Sequence, residues 1–251
     1  MTIAIPELAT LFMLTFARIG TLVMLLPGIG ERFIPGRIRL VFALFLTLLL
    51  FPVARALLPS AATPAALVGL LVGELAVGFV LGIAARIVLS ALQVAGTIIA
   101  QQLGLSFAMT VDPTIGGQEA SIANLLNLLG ITLVFALDVH HLAIAAIRDS
   151  YALLPPVGVP EPGDAARLAI AAVGRAFALA LQISAPFIAF GLLLNLGLGI
   201  LSRLMPQIQV FFLGMPLTIL VGMLVLLASL GVMMSVFVTD LGRFLQGLGS
   251  L

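Results

Sequence analysis

An all-α membrane protein built on about six long apolar segments is the architecture that this sequence predicts. Two observations carry the prediction. Of the 251 residues, 62% are hydrophobic and only 8% are charged, whereas a soluble domain carries about 25% charged residues. Charged side chains are what covers a water-facing surface, so the surplus apolar surface must face lipid or other apolar protein. The second observation is length. Several apolar stretches reach or exceed the roughly 20 residues a helix needs to cross the hydrocarbon core. Strand-length alternation does not recur, which argues against an outer-membrane barrel.

The segments follow in order. The first runs from about Leu8 to Leu26 and ends at Pro27-Gly28. A loop from Glu31 to Arg39 follows, with Arg32, Arg37 and Arg39 against one acid. The positive-inside rule places this loop in the cytoplasm and the N-terminus outside. The second segment, Leu40 to Leu58, is closed by Pro59 and Pro64, and the third runs from Ala65 to Ala100. A polar stretch from Gln101 to Glu119 separates it from the fourth, Ile122 to Leu137. Next comes Arg148 to Arg167, the one segment whose prolines and charges predict exposure to water. The fifth, Leu168 to Leu201, contains Pro186, and the sixth, Ile208 to Val238, contains Gly214 and Pro216.

The third, fifth and sixth segments are too long for ordinary spans. At 1.5 Å per residue a helix of about 35 residues covers about 50 Å, against a core of roughly 30 Å. Each is expected to kink or to fold as a helical hairpin, with bends at Pro186 and Pro216, because proline removes an intrahelical hydrogen bond.

Four charges fall inside these segments or at their edges: Arg18, Glu74, Arg86 and Asp138. Each costs roughly 2.5–3.5 kcal/mol at mid-bilayer on insertion scales, so each should pair, or face a wet interior or a partner subunit. Glu74 and Arg86 are too far apart to pair along one straight helix, and would pair only if their segment folded back. Gly78 and Gly82 form a GxxxG pair, the spacing at which two helix backbones approach closely.

Soluble and catalytic readings fall away on composition. The chain has no cysteine, which excludes disulfides and thiolate metal sites. Its net charge of +1 gives no case for nucleic acid. The N-terminus has no basic region and carries Glu7, unlike a cleaved signal peptide. Gly104-Leu105-Ser106-Phe107-Ala108 lacks the closing glycine of a nucleophile elbow. His140 and His141 are the only histidines. Side chains of adjacent helical residues point about 100° apart, so no metal site is expected from them. No catalytic residue, metal or cofactor is assigned.

The segment Gln101 to Ser121 mixes turn signals, Asp112-Pro113 and Gly116-Gly117, with the bulky apolar residues Leu105, Phe107, Met109 and Val111. Non-helical backbone at membrane depth is tolerated only where protein buries it or it lines a cavity. Such a loop fits either a stopper that closes a pore by plugging or dewetting or an ordinary connection with apolar anchors. Methionine is deformable and suits a seal that opens and recloses.

The order and spacing of several motifs resemble the FliR family, the flagellar export-gate proteins, and their counterparts in virulence type III secretion (SctT). The resemblance covers nearly the whole chain, 1–251, as a single export-gate domain. It rests on Phe16-Ala17-Arg18-Ile19-Gly20, Leu26-Pro27-Gly28, Ile34-Pro35, Arg37-Ile38-Arg39, Gly73-Glu74 and Gly96. It continues through Gln102-Leu103-Gly104-Leu105-Ser106, Asp112-Pro113, Asp138-Val139-His140-His141, Ser150 and Pro186. The most specific stretch is Asn195-Leu196-Gly197, Arg203 and Pro206-Gln207-Ile208-Gln209-Val210-Phe211.

The resemblance implies a helical hetero-oligomeric gate in the bacterial cytoplasmic (inner) membrane, at the flagellar basal body. The implied partners are FliP, FliQ, FlhB, FlhA, membrane lipid and the unfolded flagellar proteins that pass through. It implies that the loop holding Ser106, Phe107, Met109, Val111, Asp112, Pro113, Gly116 and Gly117 plugs the channel. Arg203, Pro206, Gln207 and Phe211 become an assembly motif, and Arg18, Glu74, Arg86, Gly78, Gly82 and Asp138 serve buried charge pairing and packing. The alternatives are a virulence-system gate and, more remotely, a solute transporter. The latter should show inverted repeats, and none is visible.

Overall fold

The computed structural model describes residues 5–31, 34–59, 63–105, 118–156, 162–205 and 210–248. Among these residues there are seven helices and no strand: α1 (Ile5–Leu25), α2 (Gly36–Ala54), α3 (Pro64–Gln102), α4 (Gln118–Ala136), α5 (Val139–Leu153), α6 (Pro162–Leu204) and α7 (Val210–Leu248). Five of them contain windows long and apolar enough to cross a membrane, or up to six spans if the broken pair Ser121–Ala136 and Val139–Ala152 counts as one. The chain is an all-α membrane protein.

The three oversized segments do not fold back. α3, α6 and α7 are single helices of 39, 43 and 39 residues. Pro186 and Pro216 lie within helices that continue past them, and so does Pro52 in α2. One missing hydrogen bond is a small loss against the many that remain, because in lipid an unsatisfied backbone has no water to turn to.

The helices group into two compact units. The first comprises Met1–Val88, Val134–Arg175 and Leu241–Leu251, and the second Leu89–Leu133 and Ala176–Asp240. In the first unit Leu14, Ile19 and Val23 of α1 are buried, as are Ala84 and Val88 of α3, Ile147 and Tyr151 of α5, and Leu241 and Phe244 of α7. In the second unit the buried set includes Leu92 and Ile99 of α3, Leu126 of α4, Ile183 and Phe187 of α6, and Phe237 of α7. These residues recur at helical spacing on one face of each element.

The opposite faces are equally apolar and bare. Phe45 and Leu49 of α2, Leu193 and Ile200 of α6, and Leu227 of α7 are all exposed. In the most apolar 18-residue stretch within Gly214–Gly247, only 22% is buried. A soluble monomer rarely shows a patch of this kind; here lipid or other membrane subunits must cover it. Between helices in lipid the hydrophobic effect is weak, so packing rests on close backbone approach and polar contacts.

α3 ends in a Schellman motif. Gly104 takes φ +73°, its N–H donates to Gln101 O (3.0 Å), and the N–H of Leu105 reaches back to Ala100 O (3.1 Å). A left-handed residue is required there, and glycine alone adopts it freely. Gly104, which opens the truncated nucleophile-elbow motif, is a helix stop.

Candidate functional site

The first unit holds a buried polar knot where α1, α3 and α5 meet. Arg18, in the middle of α1, is fully buried, and Glu74 of α3 is 2% exposed. The guanidinium grips the carboxylate with two bonds, Nε to Oε2 at 2.6 Å and Nη2 to Oε1 at 3.0 Å. Its other donors turn to the end of α5. Nη2 donates to Leu154 O at 2.9 Å and Nη1 to Ser150 O at 2.9 Å, with Ser150 Oγ at 3.5 Å. Arginine has five N–H donors, and each has an acceptor here.

Two physical effects coincide at this point. The last carbonyls of a helix have no partner within the helix, and the macrodipole leaves partial negative charge there. Ser150 O also accepts the Leu154 N–H at 2.9 Å, so the cation gives Ser150 O a second donor, supplies one to Leu154 O and answers the dipole. The guanidinium also lies over the Tyr151 ring, with Cζ 4.2 Å from the centroid, a cation–π contact strengthened by burial. The Tyr151 hydroxyl donates to Thr15 O of α1 at 3.4 Å.

Glycine allows the helices to come this close. A Cβ at Gly78 would stand 2.6 Å from Arg18 O and 3.1 Å from Thr21 Cβ, and one at Gly82 would meet the Leu25 side chain at 2.7 Å. The GxxxG pair is therefore the seam along which α3 crosses α1, one turn beyond Glu74.

The second unit carries the root of the apolar loop. Leu103 is buried and its Cδ2 fills the space that a Cβ at Gly222 of α7 would need. Gln102 lies in the same way against Gly191 of α6, where its Oε1 would collide with an added Cβ. These two side chains seat the end of α3 just before Ser106. Ser106, Phe107, Met109, Val111, Asp112, Pro113, Gly116 and Gly117 lie outside the described residues.

Other residues are placed differently from expectation. Arg86 is exposed on α3, and since α3 is continuous it does not meet Glu74, whose partner is Arg18. Asp138 is also exposed rather than buried: it sits at the break before α5 with φ 58° and its side chain is 74% accessible. Its partner is His141, at 3.8 Å. Arg203 is exposed near the end of α6; Pro206 and Gln207 lie outside the described residues, as does the side chain of Phe211. The stretch from Arg148 onward is not simply water-exposed, because Ser150, Tyr151 and Pro156 are buried. Tyr151 and the carbonyl of Leu154 escaped sequence reasoning. The available signal was that Tyr151 is the only tyrosine in the chain.

A satisfied ion pair holding three helices defines a structural centre of a multispan membrane protein. The class narrows on comparison. Residues 9–244 match the model of bacterial export proteins, family 1. The chain is 42% identical to the flagellar biosynthetic protein FliR of Caulobacter vibrioides over 86% of its own length and 87% of that protein. It is 32% identical to FliR of Bacillus subtilis over 91% and 89% of the two chains. With FliR of Escherichia coli K12 the identity is 32% over 82% and 78%. The chain belongs to the FliR family of bacterial export proteins, which is not a family of enzymes.

Proposed function

We propose that this chain is a core subunit of the flagellar type III export gate in the bacterial cytoplasmic membrane. In this reading it assembles with FliP and FliQ into the channel for unfolded flagellar proteins, with FlhB joined to the gate and FlhA beneath it. The observation that carries the reading is the 42% identity with a flagellar biosynthetic FliR across almost the full length of both chains. Relatives named as flagellar in several bacteria favour the flagellar system over a virulence counterpart. The bare apolar faces of α2, α6 and α7 supply area for sister subunits as well as lipid.

The mechanism assigns two parts of the chain different duties. The knot of Arg18, Glu74 and the α5 terminus keeps the first unit rigid. The segment following Leu105 is the stopper, in which Phe107, Met109 and Val111 supply an apolar seal that excludes water and ions. Asp112-Pro113 and Gly116-Gly117 turn the chain within it. Arg203, Pro206, Gln207 and Phe211 belong to the assembly surface.

The test has two arms. The full chain is co-expressed with FliP and FliQ, and copurification of the three is the expected result. Deleting Ser106–Gln118 should then raise small-ion permeability of the assembled complex in membranes. A chain recovered without either partner, or a deletion that leaves permeability unchanged, contradicts the gate or the stopper respectively.

A further inference from the structure

Two observations at the break between α4 and α5 are left over from the gate reading. The first is a convergence of donors. Asp138, His140 and His141 offer one carboxylate and two imidazoles whose ligating atoms lie within 4.8 Å of one another. The expectation that neighbouring imidazoles diverge fails here. Their ring centroids are 4.2 Å apart and their planes are inclined by 39°. Both rings stand in the first turn of α5, directly after Asp138, whose own backbone is left-handed at φ 58°. Asp138 stands at the N-cap but makes no side-chain cap hydrogen bond, so its carboxylate is not committed to the helix.

The second observation is an unmet polar atom. His140 Nδ1 is buried and has no hydrogen-bond partner. Its ring, with that of His141, borders an apolar cavity of about 420 Å³ also lined by Leu26, Phe42, Leu46 and Phe135. A buried imidazole nitrogen without a partner costs free energy unless something answers it. An ordinary Asp138–His141 pair does not account for it. That pair is long, at 3.8 Å, both side chains are more than two-thirds accessible, and surface pairs contribute little. It also leaves His140 out.

The geometry points to a divalent transition-metal site formed by Asp138, His140 and His141, with the remaining coordination positions open. Two imidazoles and a carboxylate suit borderline ions such as Zn²⁺, Co²⁺ and Ni²⁺. Bonds of about 2.0–2.2 Å bring ligand atoms to roughly 3.3 Å from one another around a tetrahedral ion. The closure needed from 4.8 Å is within the swing of two exposed side chains, Asp138 and His141. The open positions take water or a donor from a neighbouring chain.

The composition makes the test clean, since the chain has no cysteine and no other histidine. The full chain, carrying an affinity tag without histidine, is purified in detergent and titrated with Co²⁺. One ion per chain and visible d–d absorption are expected. His140→Gln and His141→Gln should each abolish the absorption, and Asp138→Asn should weaken binding at least about tenfold. Helix content and elution volume of these variants check that they fold. Absence of absorption in the unaltered chain overturns the proposal, as does binding that survives in the double histidine variant or is unweakened by Asp138→Asn.

Discussion

Replacing Glu74 with leucine should strip most of the stability from the first unit. The substitution keeps the volume roughly constant and removes the carboxylate that takes two of the five Arg18 hydrogen bonds, at 2.6 and 3.0 Å. The guanidinium stays fully buried, held by Ser150 and Leu154 alone, and its charge loses the carboxylate buried beside it. Breaking a buried pair from one side costs about 3–5 kcal/mol, a large fraction of the roughly 5–15 kcal/mol that holds a folded protein together. For a chain of this size that corresponds to a fall of about 6–20 °C in apparent melting temperature. The assay is thermal loss of helical circular dichroism on the full chain in detergent. The double variant Arg18→Leu/Glu74→Leu discriminates the cause. It removes the orphaned charge while sacrificing the bonds to α5, so it should melt above Glu74→Leu alone. A fall below about 2 °C for Glu74→Leu, or a double variant that melts lower than the single one, would refute the reasoning.

Further outcomes follow for Gly69, Gly78, Gly104 and Tyr151. Gly78→Ala places a Cβ 2.6 Å from the Arg18 carbonyl and should cost about 1–3 kcal/mol through forced separation of α1 and α3. Gly69→Ala, where an added Cβ meets nothing, should be neutral or slightly stabilising in the same melt. Gly104→Ala forces a side chain into a φ of +73° and should cost about 1–2 kcal/mol, read as earlier proteolysis just after α3. Tyr151→Phe gives up only a 3.4 Å hydrogen bond to Thr15 O and should melt close to the unaltered chain. Tyr151→Leu also loses the ring beneath the guanidinium and should melt clearly lower.

The class of fold was legible because it depends on composition and on apolar length, and both survive without knowledge of tertiary contacts. Arg18 and Glu74 stood out for the same reason, since a charge inside an apolar run has to be answered by something. What answers it was not legible. The partner of Arg18 lies 56 residues away in sequence and its carbonyl acceptors 132 and 136 away, and no periodicity encodes such separations. Arg86 is exposed because it falls on the face of α3 turned away from the buried Ala84, Ala85, Val88 and Leu89, and an evenly apolar run does not mark which face that is. α5 was overlooked as a helix because its apolar residues occupy one face and its average hydrophobicity is low. The left-handed turn at Asp138, where α5 begins, needed a backbone angle that aspartate adopts only occasionally.

The spacing of the knot along the chain bears on how the protein is made. Ribosomes deliver Arg18 early, its carboxylate 56 residues later, and the last carbonyl it grips 136 residues later. While the polypeptide is being threaded into the membrane, the guanidinium can hold Glu74 but not yet α5. A nascent chain halted between Glu74 and Ser150 therefore carries a half-tied cation. Arrival of α5 is the event that locks the earlier helices in place.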